Sequence, residues 1–110
     1  MIEIYYNTTQ VREGRQFEME IKGHADYAER GKDIVCAGVS SLTIALLNEL
    51  DTIEDEAFYY MDRVIEEGYV HLKCVVPLYQ NIVVVETIFD TIYQGLVHIS
   101  KEKMEYVKLV

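Results

Sequence analysis

The chain has 110 residues, with ten Lys or Arg against nineteen Asp or Glu for a net charge of −9, half of its residues apolar, no Trp and a single Pro. A chain of this size buries roughly two-thirds of the surface its unfolded form exposes, so one domain over residues 1–110 with a single core needs no metal or disulfide staple. Nine Tyr, three Phe and aliphatic residues spread along the whole length exclude disordered, low-complexity and fibrous classes, and the acidic balance disfavours direct nucleic acid binding, which depends on Lys and Arg neutralising phosphates.

Residues 2–6, Ile-Glu-Ile-Tyr-Tyr, are strand formers, and the polar stretch Asn7 to Gly14 predicts a turn region after them. From Gln16 to Lys22, Phe17, Met19 and Ile21 alternate with Glu18, Glu20 and Lys22, which predicts a half-buried strand pairing with the first as a hairpin. Residues 23–33 hold two glycines and five charges without a period, so they read as an exposed loop.

Asp33 has the position of an N-cap for a helix over 34–50. Its apolar residues Val35, Val39, Leu42, Ala45, Leu46, Leu47 and Leu50 lie on several sides, so mostly protein surroundings are expected. The acidic stretch Glu49 to Glu56 closes that helix. Ala57 to Ile65 and Tyr69 to Val76 flank Glu66-Glu67-Gly68 and predict a second hairpin.

Pro77 suits the first position of a helix over 78–100, in which Leu78, Ile82, Val85, Phe89, Ile92, Leu96 and Ile99 recur at three- and four-residue steps. Met104 to Val110 is expected to add an edge strand. The order ββαββα(β), with hairpins in place of alternating βα units, predicts an α+β fold: an antiparallel sheet built from two hairpins with two helices packed on it.

No unbroken run approaches the ~18 apolar residues of a membrane span, and no basic segment precedes an apolar stretch at the start. The expectation is a cytoplasmic protein without a membrane partner. Cys36 and Cys74 are too few for a disulfide framework and sit among apolar neighbours, as reduced thiols do. The negative charge would steer a basic partner in a salt-sensitive way, and it equally serves solubility.

Reactive residue types gather at one place only. His24 ends a strand, a loop follows, and Asp33 and Cys36 stand at the start of a helix. A thiolate in a first helical turn is stabilised by the helix dipole and free amides, and a nearby imidazole can take its proton. Cys36 would then attack a carbonyl carbon, with His24 as base and afterwards as acid toward the departing amine. The amides of Cys36 and Ala37 are candidates for an oxyanion hole. An inert buried cysteine beside a strand-end histidine is the alternative on spacing alone.

Residues 23–43, Gly-His-Ala-Asp-Tyr-Ala-Glu-Arg-Gly-Lys-Asp-Ile-Val-Cys-Ala-Gly-Val-Ser-Ser-Leu-Thr, resemble the ribosomal-processing cysteine protease family, Prp. Its mark is Gly-His-Ala, a short loop, then Asp-Ile/Val-Val-Cys-Ala, a small residue and Ser. The motif covers about a fifth of the chain, and length, acidity and element order are similar to the family throughout.

The resemblance implies that His24 and Cys36 are the catalytic pair, with Asp33 and Ser40 in support. Asp33 is also readable as a structural cap, and Ser40 as a hydroxyl bonded back to the Cys36 carbonyl. The resemblance further implies a homodimer whose substrate is the precursor of a basic protein of the large ribosomal subunit. The family removes a short N-terminal extension from it, cutting after an aromatic, apolar stretch and before the basic mature start. The loop from Ala25 to Lys32, with Gly23 and Gly31 as hinge candidates, would serve as a lid over the peptide or as a plain connection.

No metal or other cofactor is expected. His71 and Cys74 lie three apart on a predicted strand and so point to opposite faces, and no Cys-x-x-Cys or His-x-x-x-His supplies partners. The tyrosines come without a basic track, so packing explains them better than base stacking, and no phosphate-binding glycine loop follows a strand. Two rival functions remain at this level: a noncatalytic acidic binding module for a basic ribosomal protein, and a redox sensor using Cys36.

Overall fold

The computed structural model describes residues 1–110. Its elements are strands β1 (Ile2–Val11) and β2 (Gly14–Gly23), helix α1 (Ile34–Ile53), strands β3 (Tyr59–Glu66) and β4 (Tyr69–Pro77), helix α2 (Ile82–Glu102) and strand β5 (Val107–Leu109). The sheet order is β3-β4-β2-β1-β5. Both hairpins are antiparallel and meet through an antiparallel β2–β4 ladder, while β5 joins the outer side of β1 in parallel. This is the α+β architecture expected.

Alternation decides the two faces of the sheet. Ile4, Met19 and Leu72 face the same side across β1, β2 and β4, and with Ile2, Phe17 and Cys74 they form one buried cluster with Val39, Leu46 and Leu50 of α1 and Val85, Phe89 and Leu96 of α2. Both helices therefore cover that face. At its centre Phe89 stacks on Phe17 at 5.4 Å and on Tyr6 at 5.7 Å between ring centroids. The opposite face carries Glu18, Glu20, Lys73 and His71.

Several boundaries differ from the sequence expectation. β1 runs to Val11, so the turn is only Arg12-Glu13: Asn7 to Val11 are polar on average but pair residue by residue with β2, and ladder hydrogen bonds override their weak strand propensity. Gly23, read as loop, is the last β2 residue. α1 continues three residues past Leu50 because Glu49 and Asp51 point to solvent while Ile53 packs on the core. Ala57 lies in the turn after α1, where its N–H donates to Ile53 O at 3.0 Å, so β3 begins only at Tyr59. Asp51 then fastens β3 to α1 by accepting from Tyr60 Oη at 2.8 Å and pairing with Arg63 at 2.7 Å.

Pro77 does not start α2; it closes β4, and Gln80 N–H donates to its carbonyl in a turn. Asn81 is the cap, its carboxamide accepting from Val83 N–H at 3.0 Å, a service proline cannot perform. The β-branched run Ile82 to Val85 is helical, its period outweighing its propensity. β5 is three residues long, shorter than Met104 to Val110 suggests.

α1 is also less enclosed than expected, since Ala45 and Ile44 face solvent and its buried residues form a single stripe. Both helices are long and apolar enough to cross a membrane by length and composition, which the expectation from unbroken apolar runs did not include because small, polar and a few acidic residues such as Glu86 and Asp90 interrupt the runs. Here their apolar stripes lie against the sheet.

Candidate active site

The β2–β4 register positions the site. Lys22 pairs with Tyr69, so the turn of the second hairpin comes to rest beside the end of β2, and Gly23 N–H donates to Gly68 O at 2.9 Å. His24 emerges at this junction, exposed, with its imidazole against Gly68. The chain then loops through residues 24–33 to the start of α1.

Asp33 organises that start. One carboxylate oxygen accepts from Cys36 N–H at 2.8 Å and the other from Tyr27 N–H at 3.0 Å, so one side chain caps the helix and ties down the loop. The Cys36 amide, above all, holds the Asp33 carboxyl below the usual carboxylate range; desolvation pulls the other way, and the Tyr27 amide adds to the lowering. Cys36 is half-buried, and its Sγ lies 3.9 Å from Ser40 Oγ, one helical turn along.

His24, Asp33, Cys36, Ala37 and Ser40 line one cleft of about 620 Å³. Ile21, Val39, Leu47, Ile65 and Val70 make its apolar wall, and Asp26, Glu66 and Glu67 add carboxylates at the rim. Arg30 is the one Lys or Arg in the lining, and its guanidinium lies 3.9 Å from Glu67. Such a cleft suits an extended peptide with an apolar segment and a basic one.

The structure thus gathers the sequence-predicted residues around one space, but their contacts differ in detail. No hydrogen bond joins His24 to Cys36, Asp33 or Ser40 in this arrangement; both Asp33 oxygens serve amides. Ser40 faces the thiol in place of the Cys36 carbonyl.

Two of the expected roles meet competing contacts in this arrangement. The Cys36 N–H is taken by the Asp33 carboxylate and the Ala37 N–H donates to Asp33 O at 3.0 Å, so neither is free as an oxyanion donor here: the cap that starts the helix consumes them. Gly23, the other hinge candidate, belongs to the ladder, and a Cβ there would meet the Met1 carbonyl at 2.2 Å. Gly31, at φ +88° with nothing within 4 Å of a Cβ, remains open.

Sequence reasoning missed the wall formed by Ile65 to Val70. The Glu-Glu-Gly signal announced a hairpin but not which strand end it would abut. The other notable residues lie elsewhere. Cys74 is fully buried under the sheet, where desolvation pushes its thiol pKa well up. His71 sits on the outer face between Glu18, 2.7 Å from Nε2, and Asp62 on Nδ1.

Comparison with known proteins points to one family. The family model described as "Cysteine protease Prp" matches residues 1–108. The ribosomal processing cysteine protease Prp of Staphylococcus aureus is 30% identical over 99 residues, 88% of each chain. That of Bacillus subtilis is 36% identical over 53 residues, 39% of this chain and 47% of its own length. A crystal structure of the essential ribosomal processing protease Prp from S. aureus, in complex with a covalently linked product peptide, superposes with a TM-score of 0.75 at 25% identity, covering 99% of this chain and 97% of that one.

Proposed function

The chain belongs to the family of the cysteine protease Prp, and we propose on that premise that it removes the N-terminal extension of a large-subunit ribosomal protein, with Cys36 as nucleophile and His24 as general base and acid. The observation that carries this reading is the convergence of His24, Asp33, Cys36 and Ser40 on one cleft with an apolar wall and an acidic rim.

In the first step the Cys36 proton passes to His24 and Sγ attacks the scissile carbonyl carbon, giving a tetrahedral oxyanion. Its collapse breaks the C–N bond, and His24 returns the proton to the departing amine, which leaves as the new N-terminus of the mature protein. A water then gives a proton to His24 as its oxygen attacks the thioester. The thiol is regenerated and the extension departs with a new carboxylate.

Asp33 acts through the backbone: by capping α1 it fixes the turn that carries Cys36, and by holding Tyr27 N–H it sets the path of the loop from His24. Ser40 supports the sulfur from the next turn. Closure of the loop on a bound peptide brings the thiol and the His24 imidazole together and excludes water. The carboxylates at the rim attract the basic mature start while the apolar wall receives the residues before the cut. In this reading the protein works in the cytoplasm as a homodimer, without metal, membrane or direct nucleic acid contact.

The test is incubation with peptides spanning extended N-termini of basic large-subunit ribosomal proteins, with products identified by mass spectrometry. A single cut that disappears in Cys36→Ala and in His24→Ala is expected. Salt-sensitive association without any product would favour the binding-module reading instead.

A further inference from the structure

We infer that Gly68, in the turn of the second hairpin, is a positioning residue for His24: the missing side chain leaves the space in which the imidazole rests. This rests on the proposed role of His24. A Cβ at position 68 would lie 2.7 Å from His24 Nε2 and 3.0 Å from Cε1, with Cδ2 at an ordinary contact distance of 3.5 Å, so the outer edge of the ring occupies the place a side chain would need.

The need is not met by shifting the backbone. Gly68 O accepts from Gly23 N–H, the residue just before His24, which joins turn and strand end into one unit. Gly23 is itself wedged against the Met1 carbonyl, and the pairs Lys22–Tyr69 and Ile2–Gly23 fix it on both sides. With the backbone pinned, the ring is the part that yields to a methyl at position 68.

The φ of +74° at Gly68 already favours glycine for the turn, and a purely conformational role must be separated from the positioning one. Asn separates them, because it tolerates positive φ far better than Ala yet carries the same Cβ. If Gly68 serves only the turn, Gly68→Asn is nearly silent and Gly68→Ala is not. If it makes room for His24, both impair the reaction alike. A displacement of about 1 Å at a reacting group costs on the order of 100-fold in rate.

The experiment measures kcat and KM for a precursor peptide, the pH dependence of Cys36 alkylation by iodoacetamide, and thermal stability, for the unaltered chain, Gly68→Ala, Gly68→Asn and His24→Ala. The proposal expects kcat to fall about 10- to 100-fold in both Gly68 variants with KM within about 3-fold, and their alkylation profiles to move toward that of His24→Ala. Gly68→Asn with unaltered kcat and alkylation profile overturns it. Full activity in His24→Ala overturns the catalytic role of His24 itself, a failure distinguishable from the first.

Discussion

Replacing Phe89 by Ala tests whether the sheet and α2 are held together as described. Phe89 is fully buried and lies between the near-parallel rings of Tyr6 and Phe17. Losing it removes the transfer free energy of a large side chain and leaves a cavity that β1, β2 and α2 cannot close, at a cost of about 3–5 kcal/mol. Two aromatic contacts at roughly 0.5–1.5 kcal/mol each are part of that loss. Against a total stability of about 5–15 kcal/mol for a domain, this is a large fraction. Urea unfolding followed by circular dichroism should show the midpoint falling with the slope little changed. A Phe17→Leu, Phe89→Leu double-mutant cycle should return a coupling within about 0.5–1.5 kcal/mol. Because Phe89 does not line the cleft, peptide cleavage well below the melting transition should persist. A destabilisation under about 1 kcal/mol for Phe89→Ala would refute the three-ring core.

Other predictions concern the site and the outer face. Asp33→Asn keeps an oxygen for the Cys36 amide, so its melting temperature should stay near the original while the 24–33 loop becomes more susceptible to limited proteolysis; Asp33→Ala should lower both melting temperature and activity, and unchanged melting would contradict the cap. Thiol titration of the folded chain should find one readily modified cysteine, Cys36, with Cys74 reacting only on unfolding; two fast thiols would be the contrary result. Desolvation pulls the His71 pKa down, but hydrogen bonds and charge from Glu18 and Asp62 outweigh it and the net shift is upward. A raised folded pKa means stability fully present below the unfolded value of about 6.5 and lost as pH rises through the folded value. His71→Gln should therefore lose that part of the dependence of melting temperature on pH, and an identical pH profile would count against the cluster.

Much of this architecture was legible in local pattern. The alternation of Phe17, Met19 and Ile21 named the buried face of β2, and the Val85, Phe89, Leu96 period named that of α2 despite its β-branched start. Asp33 three residues before Cys36 was readable as a cap because capping is a short-range hydrogen bond. What escaped was set at long range. Nothing in Asn7 to Val11 signals that β2 will supply a partner for each residue, and Asn81 outcompetes Pro77 only because the chain must first leave the sheet. The same holds for the site: Gly68 against His24 follows from the β2–β4 register, which no single segment specifies. The spacing of Cys36 and Ala37 suggested free amides, but the cap that made the helix recognisable is what occupies them.

The most direct test of the central claim is intact-mass spectrometry of the chain quenched in acid during turnover of a precursor peptide, followed by mapping of any adduct. The account predicts a transient acyl adduct of the N-terminal fragment on the segment containing Cys36, absent in Cys36→Ala together with all product. Product released at an undiminished rate by Cys36→Ala, or an adduct mapped to another residue, would contradict it.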